Sequence, residues 1–208
     1  MRIIAGSLRR RTLVIPKGLS VRPTSDRVRE SVFNWLHSRM DFQGTAVLDL
    51  FAGSGAVGIE ALSRGAERSW LVERSAPVAD QIRRNAEALG IPDEVTVITA
   101  EAVGWLRRAR SYRFDLIYAD PPYDYAHPDV VVDAAMTHLV PGGFFLFEHA
   151  ERDRFKEHPD LVDERRYGKT SVSFFVAPES EALESDSPES NAPENDSPED
   201  HSHDGELP

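Results

Sequence analysis

The 208-residue chain contains no cysteine. Disulfides and thiolate metal sites are therefore excluded, and a reducing compartment is allowed. The chain also lacks an apolar run of about 18 residues, the length needed to span a bilayer. Its start, MRIIAGSLRRR, offers only three consecutive apolar residues before polar and basic ones, too few for a signal-peptide core. A soluble, cytoplasmic protein is expected. A third absence is local: residues 177–208 have no Lys or Arg and almost nothing apolar, only Ser, Pro, seven Glu and four Asp among their commoner residues. Such a segment cannot bury enough surface to offset its ordering entropy, so a disordered acidic tail is expected there.

The tail alone accounts for the net charge of −11, leaving residues 1–176 neutral. Within them, 1–40 carry nine basic side chains against Asp26 and Glu30, a net of +7, and 41–176 carry −7. A basic arm on a mildly acidic body is the asymmetry expected where one part meets a polyanion, although a solvated basic face would look the same. Three parts are expected: a basic N-terminal extension with a helix (1–40), a core (41–176) and the tail (177–208).

In RPTSDRVRESVFNWLHSR (22–39), Pro23, Thr24, Ser25 and Asp26 are helix start signals. Val28, Val32, Trp35 and Leu36 share one helical face, which predicts that Arg27, Arg29 and Arg39 point largely outward. From residue 46, apolar runs alternate with helical stretches: AVLDLF then 57–64, SWLVE then 76–89, VTVIT then 102–109, FDLIYA then 129–139, and GGFFLFEH then 150–157. This pattern predicts an α/β fold with a mostly parallel sheet covered on both faces. KTSVSFFVA (169–177), with no helix behind it, would suit an edge or antiparallel strand.

VLDLFAGSGAVGIEAL (47–62) reads as strand, glycine turn and helix, and Gly53, Gly55 and Gly58 satisfy the dinucleotide spacing G-x-G-x-x-G. A nicotinamide-dependent oxidoreductase is thereby a candidate. Asp49, four residues before Gly53, argues against it, because its charge would repel a pyrophosphate and suit a cation. S-adenosylmethionine (SAM) carries an ammonium and a sulfonium and no phosphate. Glu73, ending the second apolar run, could take both ribose hydroxyls of either ligand. Glu101 and the backbone of Ala102 stand where an adenine could be read, and Glu101 is equally an ordinary charge opening a helix.

DPPY (120–123) addresses the chemistry of a planar amine. The nitrogen lone pair is delocalised into the ring, so the amine is a poor nucleophile until acceptors take a hydrogen bond from each of its two N–H groups. Asp120 supplies one acceptor and the Pro121 carbonyl another, prolines fix the backbone there without adding donors, and Tyr123 offers a ring for a flipped base. Asp124 and Tyr125 read as loop residues. His127, His138, His149 and His158 show no metal spacing and read as surface or helix-end residues; no metal site is expected.

MRIIAGSLRRRTL, RPTSDRVRESVFNWL, LDLFAGSGAVGIEALSRGA, LVE, DPPYDY and YGKTSVSFF together resemble the RsmD-type bacterial methyltransferases over residues 1 to about 176. The resemblance implies a class I, Rossmann-like fold with a seven-stranded sheet. It also implies SAM-dependent methylation of the exocyclic N2 of a guanine in 16S rRNA, by a monomer acting on the small ribosomal subunit or an assembly intermediate. Carried over by residue, it places Asp49, Phe51, Gly53, Gly55, Glu73, Arg74, Glu101 and Ala102 around SAM, with Asp120, Pro121, Pro122 and Tyr123 as the catalytic motif. Glu101 stands where the family more often has Asp or Asn. Arg9, Arg10, Arg11, Arg22, Arg27 and Arg29 would meet the RNA. Methylation of adenine N6 or of a protein glutamine, the oxidoreductase, and a non-catalytic RNA-binding assembly factor remain open alternatives.

Overall fold

A computed structural model describes residues 1–15, 26–122, 124–151 and 153–179. Arg22 and Tyr123, and all of the tail beyond residue 179, lie outside the described residues. Strands form where Val, Ile, Leu and Phe are dense: β1 (Ala46–Leu50), β2 (Arg68–Glu73), β3 (Val95–Thr99), β4 (Phe114–Ala119), β5 (Leu139–His149), β6 (Leu161–Tyr167) and β7 (Thr170–Val176). Helices α1 (Asp26–His37), α2 (Ala56–Ser63), α3 (Ala76–Leu89), α4 (Ala102–Arg108) and α5 (Pro128–Met136) fill the intervals. The seven strands form one sheet in the order β3-β2-β1-β4-β5-β7-β6, parallel from β3 to β5, with β7 antiparallel to both of its neighbours.

Helices cover both faces of the central strands, which is why β1 and β4 are mostly apolar and buried, whereas β3 at the sheet edge is only partly buried. One face packs Leu48, Ile117, Phe145 and Phe147 under α4 and α5. The other packs Val47, Leu116, Tyr118 and Leu146 under α1 and α2. Helix α1 turns Val28, Val32, Phe33, Trp35 and Leu36 inward. Arg39 lies over the Trp35 ring, 4.1 Å from its centroid.

Two expectations are corrected. Residues 150–157 form turns among the described residues instead of a helix, and Asp153 there has a left-handed backbone, φ 57°. The strand β6 was missing from the expectation, because LVDERRY sets four consecutive charged residues, Asp163 to Arg166, in a half-exposed strand at the sheet edge. With β6 beyond it, β7 lies between β5 and β6, antiparallel to both, which is the second of the two placements expected for 169–177.

The N-terminal arm is folded onto the core. Ile3 and Leu13 pack on Ala56, Ile59 and Leu89, and Arg2 bridges Thr12. The carboxylate of Glu60, fully buried on α2, accepts from the Ile4 and Ala5 N–H groups at 2.7 and 3.0 Å and from Arg64 Nε at 2.9 Å. Gly6 turns at φ +80° against α2, where a Cβ would come 1.6 Å from the Ser63 carbonyl oxygen, so only glycine fits. Asn85 of α3 holds Val14 by two hydrogen bonds, accepting at 3.1 Å and donating at 3.0 Å.

Candidate functional site

The strand order reverses at β1 and β4, and a cavity of about 550 Å³ opens beyond their C-terminal ends, where ligands bind in open α/β sheets. The chain leaves β1 through Phe51, which takes a left-handed backbone (φ 60°), and turns through Gly53 and Gly55 at φ 54° and 74°. Positive φ at a non-glycine residue is strained and clusters at ligand sites. Glu73 at the end of β2 braces this loop: its two oxygens accept from the Gly53 N–H at 3.0 Å and the Ser75 N–H at 2.8 Å. Glu101 caps α4, accepting from the Val103 and Gly104 N–H groups at 3.1 and 2.6 Å. The Tyr125 hydroxyl donates to Glu101 at 3.3 Å, and its ring meets Phe51 edge to face at 5.3 Å. Phe51, Tyr125 and Glu101 thus make one continuous wall.

Asp49 lies on the floor, 3% exposed, accepting from the Gly58 N–H at 3.0 Å. Burial pushes its carboxyl well above the usual carboxylate range; the Gly58 N–H opposes this, and the charges of Asp120 and Glu73 add to it. Asp120, Pro121 and Pro122 line the cavity where β4 ends. Glu148, Glu151, Arg74 and Arg154 also line it, and Arg154 is engaged by Asp129 and Glu151 at 2.8 and 2.5 Å. Among the described lining residues carboxylates outnumber arginines, so the site fits a cationic nucleoside better than a pyrophosphate.

The model of the family described as Conserved hypothetical protein 95 matches residues 1–176. An rRNA methyltransferase candidate of Bacillus subtilis, YlbH, is 37% identical over 84% of this chain and 98% of its own length. Ribosomal RNA small subunit methyltransferase D of Escherichia coli is 40% identical over 59% of this chain, and the match spans 60% of that relative. The chain belongs to the RsmD-type methyltransferases. An RNA methyltransferase from Salinibacter ruber, solved with S-adenosyl-L-homocysteine, shares the fold at a TM-score of 0.59 with 18% identity, over 76% of this chain and 95% of that one. The architecture is accordingly the class I, Rossmann-like methyltransferase fold.

Within this RsmD-type fold the cavity brings together Asp49, Phe51, Gly53, Glu73, Arg74, Glu101, Ala102, Asp120, Pro121 and Pro122. Gly55 stands just behind, as the left-handed residue opening α2. The five described arginines of the expected RNA-binding set, Arg9, Arg10, Arg11, Arg27 and Arg29, do not line the cavity. Arg29 is 1% exposed, which corrects its outward placement: it bonds the Arg2 carbonyl oxygen at 2.6 Å and Asp26 at 3.0 Å and lies 3.9 Å from Glu60. The buried face of α1 is wider than the four apolar residues suggested, because Arg29 sits on the side that faces the arm. Arg27 is exposed beside Val28, which lines the cavity. Arg9, Arg10 and Arg11 are exposed near the C-terminal ends of α2 and α3, where Leu8 N bonds Ser63 and Arg11 bonds the Ala88 carbonyl. The eight residues of α2 set this turn about 12 Å from the glycine loop.

Sequence reasoning missed Tyr125, Glu148, His149, Tyr167 and Thr170, which line the cavity. His149 is neither a surface nor a helix-end residue: it ends β5, largely buried, with Nε2 2.8 Å from Ser173 Oγ. Burial lowers its pKa, partly offset by Glu164. One signal was available for Glu148. Asp49, Glu73 and Asp120 were recognised as carboxylates near strand C-termini, and FLFEH repeats that pattern at the end of β5.

Proposed function

We propose that this chain transfers a methyl group from SAM to the exocyclic N2 of a guanine in 16S rRNA, acting as a monomer on the small subunit or an assembly intermediate. The observation that carries this reading is the pairing of Asp120 and Pro121, at the end of β4, with the acid-lined cavity that holds Asp49. Family membership supports the rRNA substrate. The basic extension (1–40), the core (41–176) and the acidic tail (177–208) are the working division of the chain.

SAM, when bound, supplies a methyl already activated by its sulfonium. Asp49 and the glycine loop would hold the cationic methionine end, Glu73 the ribose, and Ala102 with the Glu101 region the adenine. Asp120 and the Pro121 carbonyl would each accept a hydrogen bond from one N–H of the target amine, which draws the nitrogen toward tetrahedral geometry and aims its lone pair. Once methylated, the amine sheds one proton, and Asp120 is placed to receive it. Orientation supplies most of the acceleration.

Small-subunit rRNA from a deletion strain should lack one N2-methylguanosine on nucleoside mass analysis, and the wild-type gene should restore it. Asp120→Ala should lower kcat by about 10²–10³-fold, as for loss of one preorganised polar contact, while RNA binding is retained. Unchanged N2-methylguanosine in the deletion strain would overturn the reading. Calorimetry should give binding with SAM and none with NAD.

A further inference from the structure

Glu148 is the carboxylate near the end of β5, as Asp120 is the one following β4. Ala119 pairs with Phe147 in parallel register, so Asp120, the first residue past β4, leaves the sheet next to the strand that carries Glu148. Alternation puts the Glu148 side chain on the face of Leu146, the one covered by α1, and the charge of Asp120 acts on Asp49, which β1 carries on that same face. Both residues line the cavity, and Glu148 is only 5% exposed. Val28 of α1, Tyr167 and Thr170 complete this side of the cavity. Its walls are tied together by Ser31 Oγ and the Tyr167 hydroxyl, 2.6 Å apart. Glu73, Ser75 and Glu101 line the opposite side, beyond β2 and before α4. The cavity is therefore divided by β1 and β4, and Glu148 belongs to the half left for the substrate when a nucleoside occupies the β2 half.

Resting on the guanine-N2 reading above, we propose that Glu148 is the residue that makes the site select guanine, by accepting the N1–H of the flipped base while Asp120 and the Pro121 carbonyl hold its amine. Guanine carries N1–H on the ring atom next to the carbon bearing N2, so its edge presents amine and imino protons together to two adjacent carboxylates. Adenine has a bare N1 beside its amine and cytosine a bare N3. Either base would set a lone pair against the carboxylate of Glu148. A site built to accept a proton in this way rejects the analogue that lacks it far more strongly than an apolar pocket rejects a change of size, and the charged acceptor strengthens the contact.

The test uses the full-length protein and small subunits assembled from splint-ligated rRNA, in which the mapped target guanosine is retained or replaced by 2-aminopurine. That base keeps the 2-amino group and lacks N1–H. For wild type, the replacement should lower kcat/KM by about 10- to 100-fold, the range for one hydrogen bond to a charged group. In Glu148→Gln, whose amide N–H can serve a bare N1, guanosine turnover should fall and the two substrates should come within about threefold of each other. An equal penalty in wild type and Glu148→Gln overturns the assignment. So does a wild-type enzyme indifferent to the replacement, an arm that needs no variant to fold. The nucleoside digest of native rRNA tests the underlying reading separately: a product other than N2-methylguanosine fails that reading, and this inference with it, before any base is replaced.

Discussion

Burial at the end of β1 holds the Asp49 carboxyl well above the usual carboxylate range, with repulsion from Asp120 and Glu73 in the same direction. Between the ordinary value and the raised one, the folded state keeps a proton that the unfolded chain has lost. Folding stability should therefore fall as pH climbs through that window. A cation bound at Asp49 favours the ionised form and reverses the preference. SAM affinity should accordingly rise with pH across the same window and level off above it, with proton release on binding. Calorimetry in buffers of differing ionisation enthalpy reads the release directly. Asp49→Asn should abolish it and flatten the pH dependence; an unchanged release would assign the titration to another group. The charge of Asp49 was legible in the sequence, since a carboxylate four residues before a glycine turn is a pattern in one dimension. Its environment was not, because Asp120 and Glu73 reach it only through the sheet.

The arm, α1 and α2 meet at Glu60, and this junction was hidden for the same reason. Along the sequence GIEALS is an ordinary amphipathic turn, and only the folded chain places Ile4, Ala5, Arg29 and Arg64 around one carboxylate. The RIIAGS segment, read first for its basic neighbours, is the docking strip that these contacts fix. Glu60→Ala would leave two backbone N–H groups without their acceptor and remove the carboxylate that lies 3.9 Å from the nearly inaccessible Arg29 guanidinium. Removing one partner of a buried ion pair costs about 3–5 kcal/mol. Urea unfolding should show a loss of that size, and limited trypsin digestion should begin at Arg9, Arg10 and Arg11. Stability within about 0.5 kcal/mol of wild type would mean that the apolar contacts of Ile3 and Leu13 hold the arm unaided. Strands β1, β2, β4 and β5 were legible because burial demands apolar runs, and the half-buried edge strand β3 was legible because it keeps Val95, Val97 and Ile98. The half-exposed β6 demands none, so its charged residues concealed it.

Charge at the scale of the whole chain divides into +7 for residues 1–40, −7 for 41–176 and −11 for 177–208. The fold changes what the first figure means. Arg29 is spent on the buried junction with Glu60 and Asp26, while Arg9, Arg10 and Arg11 are carried about 12 Å from the glycine loop on the far end of α2. A flipped base in the cavity and a phosphate at that turn cannot belong to the same nucleotide, so the RNA footprint must extend along α2 if both contacts exist. Each phosphate neutralised releases counterions and steepens the fall of log K with log salt by about 0.7 to 0.9. Replacing Arg9 and Arg10 by Ala should lower that slope by about 1.5 units, and Arg27→Ala by slightly less than one unit. Filter binding across a salt series measures both. A slope reduced by Arg27→Ala and untouched by the Arg9 and Arg10 pair would confine the RNA to the cavity mouth, leaving the arm a structural strap.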